Sequence, residues 1–211
     1  MAPPSGPSFT VVLPSGVLAG DALVLSVAQP CLRGTTAVDS HVTAVSGASV
    51  TWLRAAGTTC GADGAAELWY GLRSPGSPAG TTVTVSLHTS ATVSYAEVAE
   101  YAGVTGLDTT AGSSSGAQGS SIPVGPGAAT PGSAGELLVS GAYVARAVPL
   151  SLVGLLGSFV PLSTVSPFHG MAAWVVDDTR AAQGLTYTQM VGGTPVSGPW
   201  SAATATFTLG G

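Results

Sequence analysis

The chain has 211 residues, of which 7% are charged and 45% hydrophobic, with five arginines, no lysine and a formal net charge of -5. A chain this apolar and this weakly charged folds rather than staying disordered. Five scattered arginines (Arg33, Arg54, Arg73, Arg146, Arg180) against ten acids make no basic stripe for phosphate backbones, which argues against nucleic acid as a partner.

The opening Met1-Ala-Pro-Pro-Ser-Gly-Pro has neither the positive segment nor the apolar segment of an export signal. Strand signatures then follow one another: "SFTVVL" from residue 8, "ALVLSVA" from 22, "HVTAVS" from 41, "SVTWLRA" from 49, "AELWYGL" from 66, "TTVTVSLH" from 81 and "TVSYAEVAEY" from 92. Each is rich in β-branched or aromatic residues and bounded by turn-forming residues. In "TTVTVSLH" the alternation sends Val83, Val85 and Leu87 to one face and Thr82, Thr84, Ser86 and His88 to the other, so one side is core and the other wet. Gly20-Asp21 stands directly before the unbroken apolar run "ALVLSVA". Glycine tolerates the positive φ of a tight turn and aspartate bonds the turn backbone, which marks the mouth of a core strand.

Between the halves, "TTAGSSSGAQGSSIPVGPGAATPGSAG" (109–135) is rich in Gly, Ser and Pro. We read it as an extended excursion along the fold with one short strand around Ile122-Pro123-Val124, because neither half alone reads as a complete sandwich. Further strands follow in "GELLVSGAYVA" from 135, "LGSFVPLSTV" from 156, "GMAAWVVDD" from 170, "GLTYTQMV" from 184 and "SAATATFTL" from 201. Gly135 lies 115 positions after Gly20, whereas Trp174 lies 105 after Trp69, a match too loose to establish a duplication. No useful window carries the apolar spacing of a helix without a Gly or Pro breaker. The expected fold is therefore all-β: a single domain over 1–211, an antiparallel two-sheet β-sandwich of jelly-roll type with about a dozen strands. No stretch reaches the ~20 uninterrupted apolar residues of a membrane-spanning helix.

"LPSGVLAGDALVLSVA", "VSGASVTWLRAAGTT", "AELWYGL", "GTTVTVSL", "AEVAEYAGVTGLDTTAGSSSG", "GELLVSGAYV" and "SAATATFTL" together resemble a β-sandwich module of tailed-bacteriophage minor tail and other virion proteins, found also in some secreted bacterial proteins. The resemblance runs from about Ser8 to Leu209. It implies a virion or extracellular setting and brings no catalytic residues with it. Such a protein would be built into the particle by assembly, with other virion proteins and further copies of itself as partners.

The side chains that could carry chemistry are few. His41, His88 and His169 supply possible bases, but no G-x-S-x-G elbow accompanies them. Cys31 and Cys60, both in turn-like surroundings, could pair in a disulfide contributing roughly 3 to 4 kcal/mol. Zinc-type Cys/His spacing does not occur. Asp177-Asp178, with Asp108 or Asp63-Gly64, could offer oxygens to calcium, but without EF-hand-like ligand spacing a solvated turn is the favoured account. Glu97 and Glu100 fall on opposite sides of a regular strand, unlike a glycosidase pair; if buried, either would need a partner such as Arg54 or Arg146. Of the tryptophans, Trp52 and Trp69 read as core within strand patterns, and Trp200, after "VSGP", reads as the exposed candidate for glycan stacking. The apolar run "SLVGLLGSFVPL" suggests burial on oligomerisation. The expectation is a non-enzymatic virion structural protein, without cofactor, in the capsid or the tail. A host-attachment glycan binder is the alternative, and a secreted hydrolase the second.

Overall fold

The computed structural model describes residues 6–30, 42–58, 64–91, 95–116, 121–123, 131–144, 150–153, 160–163, 169–176, 186–191 and 194–210, which contain strands and no helix. The first half supplies β1 (Gly6–Val12), β2 (Ala22–Gln29), β3 (Val42–Gly47), β4 (Trp52–Gly57), β5 (Ala65–Gly71), β6 (Thr82–Ala91) and β7 (Tyr95–Tyr101). The second supplies β8 (Val104–Gly116), β9 (Ser121–Pro123), β10 (Glu136–Val144), β11 (Leu150–Val153), β12 (Val160–Ser163), β13 (His169–Val176), β14 (Thr186–Val191), β15 (Thr194–Pro195) and β16 (Trp200–Leu209). All pairings are antiparallel.

The antiparallel sandwich expected from the sequence is present, but it is built from four sheets rather than two. Sheet I has the order β1-β6-β3, sheet II β4-β5-β2-β7, and sheet III β12-β13-β10-β16-β8; in sheet IV, β14 carries β11, β9 and β15. Sheet I packs on sheet II through Phe9, Leu13, Val83, Val85 and Leu87 against Leu23, Leu25, Val27 and Trp52. The other face of sheet II, with Ala22, Val24, Ala28, Ala66, Leu68 and Tyr70, packs on sheet III through Leu137, Val139, Tyr143, Ala203, Ala205 and Phe207. The Tyr70 and Phe207 rings meet edge to face at 5.6 Å. On the far side of sheet III, Leu138, Ala142, Val144 and Ala202 are buried, β9 of sheet IV lies against β16, and Gln189 of β14 is fully buried.

This layering explains the unbroken apolar runs. A strand covered on both faces gains nothing from alternation, and β2 and β10 are buried at every position. β6, in an outer sheet, keeps its alternation, with Val83, Val85 and Leu87 inward and His88 exposed. The glycine half of the Gly20-Asp21 reading holds: Gly20 sits at φ 96°, Gly135 ahead of β10 at φ 83°, and each precedes a core strand.

Two readings of the middle of the chain are corrected. The Ser/Gly-rich start of the excursion is strand, because "SSSG" completes β8, where Ser114, Ser115 and Gly116 pair with Ala202, Ser201 and Trp200. Each half also builds its own pair of sheets, more than the sequence reading assigned to either. The short strand expected near residue 122 is β9.

Candidate functional site

Chemistry-bearing side chains gather at three places. The first is the margin where β1 and β7 face each other across sheets I and II. The segment linking β1 to β2 runs antiparallel to the one linking β5 to β6, held by bonds between Leu13 N and Thr81 O (2.9 Å), Val17 N and Ser77 O (2.8 Å), Gly20 N and Ser74 O (2.8 Å), and Ser74 N and Asp21 O (2.8 Å). Glu100 of β7 clamps this segment by accepting a hydrogen bond from Leu18 N at 2.6 Å. With its backbone fixed, the Leu18 side chain is pushed outward and is 69% exposed, and Val12 at the end of β1 is 55% exposed. Beside them lies a shallow groove of about 90 Å³ lined by Leu13, Pro14, Ser15, Val17, Leu23, Val98 and Glu100.

The second place is Glu67, which faces sheet I from β5 and is 2% exposed. Its Oε2 accepts from Arg54 Nε at 3.1 Å and Trp69 Nε1 at 3.2 Å, and its Oε1 accepts from Val42 N at 3.1 Å. One carboxylate thereby ties β3, β4 and β5 together, with the charge matched by Arg54, whose side chain is 30% exposed. A buried carboxylate persists when it is paired and fully hydrogen-bonded.

The third is a carboxyl pair at the mouth of β10. Asp108 Oδ2 accepts from Gly132 N (2.9 Å), Thr109 Oγ1 (2.9 Å) and Thr206 Oγ1 (3.3 Å). The Gly132 amide and the Thr109 hydroxyl hold its carboxyl below the usual range. Burial, followed by the neighbouring Asp108, pushes the Glu136 carboxyl up. Its Oε1 accepts from Ser133 N at 3.0 Å. The cluster anchors the 131–135 segment ahead of β10 as Glu100 anchors the segment ahead of β2.

The residues expected to act are distributed differently. Trp200 is not an exposed platform: it begins β16, pairs with Val144 and Gly116, and is 8% exposed. The preceding Gly198-Pro199 suggested a loop tip, yet the chain enters an interior strand of sheet III immediately after it. Trp52 is core as expected and donates to Gly47 O at 3.1 Å. Trp69 is half-buried. Arg54, expected as a partner for Glu97 or Glu100, pairs with Glu67. Glu100 sits opposite Leu23 and Glu97 opposite Ser26, so the two carboxylates do fall on opposite faces. His88 is exposed in sheet I and His169 belongs to β13 of sheet III, which places them in different layers. Cys31, Cys60, Asp63, Asp177, Asp178, His41 and Arg146 lie outside the described residues, as does 154–159 of the apolar run between β11 and β12. Among the described residues no three His, Cys, Asp or Glu side chains are grouped to hold a metal ion, and no helix is long and apolar enough to cross a membrane. Sequence reasoning missed Glu67 as the buried partner of Arg54; the signal was the alternation of "AAELWYG", which turns Glu67 to the same side as Trp69.

No protein-family model matches the chain, and no curated protein or solved structure matches it.

Proposed function

We propose that this protein is a non-enzymatic structural module of a virion that works through protein contacts made at the β1/β7 margin. The observation carrying this reading is the exposed apolar pair Val12 and Leu18 beside the groove lined by Leu13, Val17, Leu23 and Val98. Apolar side chains held outward on a hydrogen-bonded backbone form a preorganised contact, since little ordering entropy remains to be lost on docking. The resemblance to tailed-phage virion modules supplies the setting. The hydroxyl-rich surface of sheet I, with Ser8, Thr10, Thr43, Ser46 and Thr82 exposed, suits close packing without charge desolvation.

The test is light scattering on the purified chain and on Leu18→Glu. A discrete assembly for the parent that reverts to monomer in the variant, with unchanged thermal stability, is the expected result. A parent chain that remains monomeric at every concentration and binds no companion virion protein would overturn the proposal.

A further inference from the structure

Sheets I and II repeat, strand for strand, in sheets IV and III. In the first half β6 lies between β1 and β3, and the second sheet runs β4-β5-β2-β7; in the second half β14 lies between β9 and β11, and the corresponding sheet runs β12-β13-β10-β16. Chain order is preserved throughout, with β15 and the edge strand β8 as additions. The alignment of Gly20-Asp21 with Gly135-Glu136 makes Ala22, Val24 and Ala28 equivalent to Leu137, Val139 and Tyr143, and all six lie in the one core between sheets II and III. Equivalent faces therefore meet each other. β5 lies against β16 while β13 lies against β7, the crosswise pattern a two-fold axis produces, and β2 lies against β10 itself. On that axis the equivalent residues Ser26 and Gly141 touch: a Cβ added to Gly141 would collide with Ser26 Oγ and come within 3.2 Å of Ser26 Cβ.

A face that packs on its own equivalent about a two-fold axis is isologous, the geometry of a homodimer interface. Here the two copies are parts of one chain, joined at Ala102-Gly103, both exposed, with Gly103 at φ 74°. The turn carries the chain from β7 in sheet II to β8 in sheet III. Short hinges between units that share a complete interface favour exchange between molecules. We infer that the chain is an internal duplication whose unit-to-unit face is self-complementary. The partner this face fits is a second copy of the same chain, admitted when the Ala102-Gly103 turn opens and each unit packs on the complementary unit of the other molecule. The exchanged dimer keeps every inter-unit contact and relaxes two hinges. This rests on the II/III face and the hinge, not on the β1/β7 margin.

Gly103→Val tests the hinge, because a β-branched residue resists the left-handed conformation that the closed turn requires. After refolding at high concentration, its dimerisation constant should rise about a hundredfold over the parent's, since each dimer relieves two strained turns. Chains carrying Ser26→Cys alone and Gly141→Cys alone, refolded together under oxidising conditions, test the face. The 3.2 Å approach is close to the roughly 3.5–4.5 Å between Cβ atoms in a disulfide, so a covalent dimer of the two different chains should form. The unsubstituted chain, which retains Cys31 and Cys60, is the control. A folded Gly103→Val chain that stays monomeric overturns the inference, as does failure of the two cysteine chains to cross-link. The cross-link decides the matter where Gly103→Val does not fold.

Discussion

Replacing Arg54 with methionine should be among the most damaging single changes available, although the site has no connection to any contact surface. Methionine keeps the aliphatic stem but removes the positive partner of Glu67, which stays 2% exposed in the core between sheets I and II. Stripping one partner from a buried ion pair costs about 3–5 kcal/mol. Two features reduce this: the Arg54 side chain is 30% exposed, and Trp69 Nε1 and Val42 N continue to donate to the carboxylate. The expected loss is therefore about 2–3 kcal/mol, a fall in Tm of roughly 4–12 °C for a chain of this size. Urea unfolding followed by tryptophan fluorescence would give the free-energy difference, because Trp69 reports directly on the site. The paired change Arg54→Met with Glu67→Leu should recover most of the loss, since an apolar pair has no charge left to desolvate. A single variant losing under about 0.5 kcal/mol would refute the argument, showing that solvent already reaches Glu67 well enough to leave the pair no more than a surface ion pair's strength.

The carboxyl pair gives opposite pH limbs. Glu136, raised from 4.5, contributes stability that is present below that value and lost as pH rises through its folded pKa. Asp108, lowered from 3.8, contributes stability present above 3.8 and lost as pH falls through its own folded pKa. Thermal melts followed upward in pH from the ordinary carboxyl range should show the decline with rising pH flattened in Glu136→Gln, and an identical profile would contradict the assignment. Gly64→Ala should destabilise by about 1–3 kcal/mol through overpacking, because its Cβ would strike the Tyr143 ring; chemical denaturation checks this, and a neutral effect would mean the ring can move aside. His88→Ala should leave stability within about 0.5 kcal/mol, as expected for an exposed side chain on sheet I.

The strands were legible because their signals are local. Alternation in "TTVTVSLH" predicted both faces of β6, and Gly20-Asp21 marked the start of β2 to the residue. The number of layers was not legible. Alternation reveals one covered face, whereas the uniform runs of β2 and β10 say only that a strand is deeply buried and not by what. Duplication was hidden for a related reason: the units are offset by 115 residues at β2 and β10 but by 103 at β5 and β13, where Trp69 is equivalent to Ala172 and not to Trp174, so matching the tryptophans misleads while backbone pairing has kept the same order. Trp200 was misplaced because a proline-glycine neighbourhood describes the approach to a strand and not the burial of the residue that follows. The Glu67 pair depends on β3, β4 and β5 converging, which no local pattern reports.

The repeated strand order also bears on how the chain reaches its folded state. β2 and β10 each require two antiparallel neighbours of similar length and apolar character, and the strands that satisfy one are topological counterparts of those that satisfy the other. A chain with two nearly interchangeable sets of partners risks kinetic traps in which strands from different units pair, a hazard that grows with the long-range contacts of all-β folds. Divergence between the units limits that hazard. Ser140 and Thr204 place bonded hydroxyls, 3.1 Å apart, in sheet III, where sheet II has Leu25 and Val98 opposite each other. A mispaired strand would bring a hydroxyl against an aliphatic side chain and leave it without its bond. The bonded hydroxyl pair thus acts as a sorting label, making the correct assortment of strands lower in energy than its near-twin.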